Sequence, residues 1–124
     1  MKKLIAGLLV AATFNVNAGL FSSDIDDALS TVRNSVPGSC DYEVGEMVDA
    51  FFNDADWKAS KTKSGRIFVN VEGAVSFRNQ DQRAFMQFEV AGNEFWLNVL
   101  KLDGRQQTNM MMRSFANHMC DAVK

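Results

Sequence analysis

The chain has 124 residues, with 13 Lys+Arg against 15 Asp+Glu, 47% hydrophobic residues and 23% charged ones. That length holds one domain, and the balance of apolar and charged residues excludes bulk disorder. One Pro and eight Gly exclude collagen-like and low-complexity chains, and a pI near 5.3 argues against a general nucleic-acid binder, which needs a basic surface to displace counterions from phosphates.

In chain order, residues 1–18 read as a secretory signal peptide. Lys2 and Lys3 form the positive start, Leu4 to Phe14 is an apolar run, and Val16-Asn17-Ala18 offers small or branched residues before a cut. The run is about 11 residues, short of the roughly 20 that a membrane-spanning helix needs, and nothing later is long enough to span. Cleavage near Ala18 leaves a single exported domain, residues 19–124, whose 11 basic and 15 acidic residues give a net charge of about −4. The expected location is the bacterial periplasm or the medium.

Asp24 to Asn34 places Ile25, Ala28, Leu29 and Val32 at helical spacing. Ser22 or Ser23 can cap this helix, with Asp24, Asp26 and Asp27 in its first turn where the helix dipole favours negative charge. Val36-Pro37-Gly38 ends it. Cys40 follows, and Cys120 is the one other cysteine. In an oxidising compartment two cysteines in a small domain pair. Their bridge closes about 80 residues and contributes at most about 4–4.5 kcal/mol through the lost freedom of the unfolded chain. No Cys-x-x-Cys spacing points to redox or metal chemistry.

A second helix is expected from Tyr42 or Val44 to Asn53, with Val44, Met47, Val48, Phe51 and Phe52 on one stripe. The period then becomes two. Trp57 to Thr62 is a strand, Lys63 to Arg66 a turn, and Ile67 to Phe77 a strand with a bulge or bend at Gly73. Asn79 to Gln82 is a polar loop. Arg83 to Val90 is a third strand, Ala91-Gly92-Asn93 a hairpin connection, and Glu94 to Leu102 the last strand. In that strand Phe95, Leu97 and Val99 share one side and Trp96, Asn98 and Leu100 the other. A final helix from Thr108 to Ala122 carries Met112, Phe115, Ala116, Met119 and Cys120 on one face. The predicted fold class is α+β: an antiparallel four-stranded β-meander with helices before and after it, packed on one face. The other sheet face carries Phe68, Phe85 and Trp96, with Trp57 and Phe77 as further candidates for it. These three are the candidate binding surface, and Cys40 and Cys120 the candidate disulfide.

Chemistry-bearing clusters are sparse. His118 is the one histidine and lies off the apolar stripe of its helix. No catalytic elbow, zinc spacing or phosphate loop is present, so no catalytic, cofactor-binding or metal residue is assigned and no cofactor is expected. Glu43/Glu46 and Glu89/Glu94 are the available carboxylate pairs. Lys58, Lys61, Lys63 and Arg66 form a basic stretch that reads as a solvated edge strand and turn. In Met110-Met111-Met112 the three side chains cannot share one direction, so one is expected at the surface.

Val44-Gly45-Glu46 with Ala50-Phe51-Phe52, Trp57, Ser64-Gly65-Arg66 with Val69, Val71 and Gly73, Gln87-Phe88 with Val90, and Leu102-Asp103-Gly104 with Gln107 together resemble small exported bacterial domains of uncharacterised function. The resemblance implies a helix, a β-meander and a closing helix, and carries over no catalytic residue or ligand. The expected function is therefore a non-enzymatic interaction domain, monomeric or weakly dimeric. Its partner would be another envelope or extracellular protein, with no nucleic acid and no membrane span. An inhibitor, an immunity protein or an accessory factor of secretion or colonisation each fits. The alternative is a carrier of a small apolar ligand held between sheet and helices, with Phe51, Phe52, Phe88, Trp96 and Met119 as wall residues.

Overall fold

A computed structural model describes residues 18–124, with side chains from Asp24 onward. The expected leader lies outside the described residues except for Ala18, the first residue of α1. The order is α1 (Ala18–Asn34), α2 (Val44–Phe51), β1 (Phe52–Lys61), β2 (Ile67–Phe77), β3 (Gln80–Ala91), β4 (Glu94–Leu102), β5 (Arg105–Gln106) and α3 (Asn109–Val123). The strands form one antiparallel sheet in sequence order. The fold is α+β as predicted, but the sheet has five strands rather than four. The extra strand is the two-residue return Arg105–Gln106 against Leu102 and Lys101. Asp103 and Gly104 both take positive φ (51° and 81°) to make the tight turn before it.

The helices cover one face. Ala28 and Val32 of α1, and Val44, Met47 and Val48 of α2, are buried against Val69, Val71, Val75 and Phe77 of β2 and Ala84, Met86, Phe88 and Val90 of β3. In the register, Val71 opposes Met86 and Val69 opposes Phe88, which joins the two central strands into one apolar floor. The two phenylalanines ending the second-helix stripe divide between elements: α2 stops at Phe51, and Phe52 is already extended. Both rings meet Phe115 of α3 edge-on, at centroid distances of 5.3 and 6.2 Å, and Phe77 meets it at 5.2 Å. Such edge-to-face contacts add to the stabilisation from apolar burial.

The helix ends are chemically specified. The Glu46 carboxylate accepts the backbone N–H of Glu43 at 3.1 Å, which satisfies an otherwise unpaired donor at the start of α2. Thr108 caps α3, its hydroxyl accepting from the Met111 N–H at 3.2 Å. The first helix begins earlier than its apolar spacing indicates, at Ala18, so Asp24, Asp26 and Asp27 lie beyond its first turn. Asp24 instead pairs with Lys61 of β1 at 2.9 Å.

The strand β4 departs from simple alternation. Phe88 opposes Leu97 but Gln87 opposes Val99, so one extra residue sits between them. This bulge returns Leu100 and Leu102 to the helix side, where they are buried, and sends Val99 to the other side. A strict period of two places Leu100 on the wrong face for this reason. Trp57 and Phe77 also belong to the helix-covered side: Trp57 opposes Val71, and Phe77 is 1% exposed.

Cys40 and Cys120 are bonded, with Cα atoms 6.0 Å apart. The bridge ties the segment entering α2 to the last turns of α3, and both cysteines are buried. Unfolding with and without reductant should show the oxidised protein more stable by about 2–4 kcal/mol, near the chain-entropy figure for this loop length; equal stability would mean that the bridge constrains nothing.

Gly45 shows a local cost offset by packing. Glycine in a helix costs about 1 kcal/mol relative to alanine, yet a Cβ there would stand 3.0 Å from the Arg33 carbonyl oxygen of α1. The close approach of α1 and α2 requires the bare backbone. Gly45→Ala should therefore destabilise by about 1–2 kcal/mol through overpacking, whereas a free helix position would gain; a denaturant midpoint decides the sign.

Candidate functional site

Two regions expose apolar groups, one among organised charges and one without them. The first is the sheet face turned away from the helices. Its cross-strand rows follow from the register. Phe68, Glu89 and Trp96 form one row, Asn70, Gln87 and Val99 the next, and Glu72, Phe85 and Lys101 a third. All three aromatics expected on this face therefore lie on it. Phe68 and Phe85 are half-buried, and Trp96 is 45% exposed.

Cations hold this face in order. The Arg66 guanidinium grips Glu89 with both ends of its fork: Nε donates to Oε2 at 2.9 Å and Nη2 to Oε1 at 2.7 Å. The same guanidinium lies 5.0 Å from the Phe68 ring centre. Lys101 Nζ is 5.8 Å from the Phe85 ring centre, and Arg83 pairs with Glu72 at 3.3 Å. Asn98 Nδ2 donates to Gln87 Oε1 at 3.3 Å. Phe68 and Phe85 are thus each flanked by a positive group that the ring's π-face attracts. Around Phe85, a dish of about 440 Å³ is lined by Glu72, Arg83, Lys101, Asp103 and Gly104.

The Arg66–Glu89 pair perturbs both groups. Its hydrogen bond and charge raise the Arg66 pKa. The hydrogen bond from Arg66 lowers the Glu89 carboxyl below the usual carboxylate range, against the opposing pull of burial. A depressed carboxylate contributes stability above its unfolded pKa and loses it as pH falls through the folded pKa. This contribution is therefore complete at neutral pH and disappears in acid.

The second region is a groove of about 410 Å³ on the helix side. Its walls include Pro37, Gly38, Cys40 and Met119 on the helical layer, and Phe88, Phe95, Trp96 and Leu97 on the sheet. Among the described residues, no charged one lines it. Three expected ligand-wall residues, Phe88, Trp96 and Met119, meet here. Phe51 and Phe52 do not: they pack around Phe115 instead. Sequence reasoning missed Phe95, Leu97 and the Pro37–Cys40 segment, whose convergence depends on the disulfide and on the last helix crossing toward β4.

The remaining candidates are accounted for locally. Glu46 caps α2, and Glu89 is held by Arg66, so neither carboxylate pair converges as a site. His118 is exposed, donates from Nδ1 to the Ser114 carbonyl at 2.8 Å and leans on Phe77. Of the basic stretch, Lys58 and Lys63 are exposed, while Lys61 and Arg66 are paired. Met110 is the outward methionine, 79% exposed. Among the described residues, no group of three or more His, Cys, Asp or Glu side chains gathers as a metal cluster, and no helix is long and apolar enough to cross a membrane.

Arg66→Ala should return the Glu89 carboxyl upward to the ordinary glutamate range. A carboxyl-detected NMR titration reads this directly, and an unchanged low value would show that Arg66 is not the cause. No protein-family model, curated protein or solved structure matches the chain.

Proposed function

We propose that the protein is a non-enzymatic interaction domain, acting in the periplasm or outside the cell, that binds another envelope or extracellular protein through the uncovered face of its sheet. The observation that carries this reading is the placement of Phe68, Phe85 and Trp96 on one face, each outside the helix-covered core and interleaved with Arg66, Arg83 and Lys101. Aromatic and arginine side chains dominate the energetically decisive positions of protein interfaces. Phe68 and Phe85, already held against Arg66 and Lys101, lose little side-chain freedom on binding. The buried disulfide fits an oxidising, exported location, and the resemblance to small exported helix, β-meander and helix domains points the same way.

The groove beside Cys40 supports a second reading, a carrier of a small apolar ligand. Its size and uncharged lining suit one. Native mass spectrometry of the purified protein separates the two: a retained small molecule favours the carrier, and an empty protein disfavours it.

Affinity purification from the native envelope fraction should recover one stoichiometric protein with the wild-type chain. Phe85→Ala and Trp96→Ala should each reduce recovery more than tenfold, as truncating an interface hot spot does, while thermal unfolding stays close to wild type. Repeated recovery of the bare protein, or undiminished recovery with both variants, would contradict the proposal.

A further inference from the structure

The two edges of the sheet are built differently. The β1 edge carries Asp54, Asp56, Lys58 and Lys61, a bulge between Asn53 and Asp56, and an ion pair from Lys61 to α1. Charges and bulges are the devices that stop an edge strand from pairing with another chain. On β4 the charges stand near the ends, at Glu94 and Lys101, and the bulge falls at Asn98, so Phe95-Trp96-Leu97 between them is left without either device. Phe95-Trp96-Leu97-Asn98-Val99-Leu100 contains no charge, no proline and no glycine. The short β5 pairs only with Lys101 and Leu102, and Gln107 donates to the Leu100 carbonyl at 2.8 Å. Among the described residues, no strand lies on the outer side of Glu94 to Val99.

We propose that a second copy of this chain covers that edge: residues 94–98 of β4 pair antiparallel with the same residues of another molecule, about a two-fold axis at Trp96. The inference goes beyond the reading of the outer face; the two share Trp96 alone, and Phe85→Ala tests the outer face without touching this edge. The edge is its own complement. With the axis at Trp96, Phe95 opposes Leu97 of the second copy, Glu94 opposes Asn98, and no two like charges meet. Phe95 and Leu97 stand at the apolar groove, so each copy brings two apolar side chains to the mouth of the other's groove. On the opposite face the two Trp96 rings become neighbours, which covers a side chain left 45% exposed in the single chain. One symmetric contact closes both unprotected edges with the same residues and leaves no further strand to add, as a closed two-fold dimer does. The bulge after Leu97 and the return strand β5 limit the pairing to this short stretch.

The test uses the disulfide-intact protein. Sedimentation equilibrium from ~1 μM to ~1 mM should show a reversible rise to twice the chain mass. Trp96→Lys places like charges across the axis and should weaken association by more than about tenfold. Trp96→Cys should form an intermolecular disulfide under mild oxidant, because facing Cα atoms of an antiparallel pair lie about 4.5–5.5 Å apart, within bonding range. Lys58→Cys, on the protected edge, should not. Wild-type protein that keeps the single-chain mass throughout would overturn the proposal. So would association left undiminished by Trp96→Lys, or cross-linking by Lys58→Cys as readily as by Trp96→Cys.

Discussion

The structure depends first on the bond between Cys40 and Cys120. It joins the loop entering α2 to the end of α3, at a sequence separation of 80. The residues between hold the whole sheet with α2 and most of α3, so these elements close as one loop, with α1 outside it. A domain of this size buries a modest share of its surface and has little stability to spare. The bridge reduces the freedom of the unfolded chain where a larger core would otherwise supply the difference. The helices it anchors pack on the side of Val71, Met86 and Leu100, the face that the alternation of apolar residues makes interior.

The opposite face follows from that choice. With no second layer among the described residues to cover it, Phe68, Phe85 and Trp96 stay at the surface. The charges around them are arranged rather than scattered: Arg66 pairs with Glu89 while lying against Phe68, and Lys101 lies against Phe85. Exposed ion pairs contribute little to stability. Their larger effect here is geometric, since they fix the rings and leave a face of mixed aromatic and charged character. The groove beside Cys40 has the opposite character, uncharged and apolar, and it adjoins the uncharged stretch of the β4 edge at Phe95-Trp96-Leu97. Trp96 belongs to both regions.

Much of this order is legible in the residues themselves. The period-two runs from Ile67 and from Arg83 locate β2 and β3 and their buried faces, because hydrogen-bonded neighbours on both sides hold central strands to strict alternation. The disulfide follows from two cysteines once an oxidising, exported setting is expected. Alternation alone also puts Phe68, Phe85 and Trp96 on one face. What escapes is set by tertiary contact. The bulge at Asn98 reverses the assignment of Val99 and Leu100, and no local residue type announces it. Phe52 has the spacing of a helix but is claimed by the sheet through its pairing with Val75. The strand β5 is too short to show a period, although the Asp103-Gly104 pair is the composition of a tight hairpin turn. The groove depends on the Pro37–Cys40 segment meeting β4, a contact between residues far apart in the chain.

The most direct measurement is a thiol count on protein recovered from its own host, under native and denaturing conditions without reductant. A closed bridge gives no reactive sulfhydryl in either state. Two free sulfhydryls after denaturation would contradict the bridge, and with it the anchoring of the helical layer and the oxidising location.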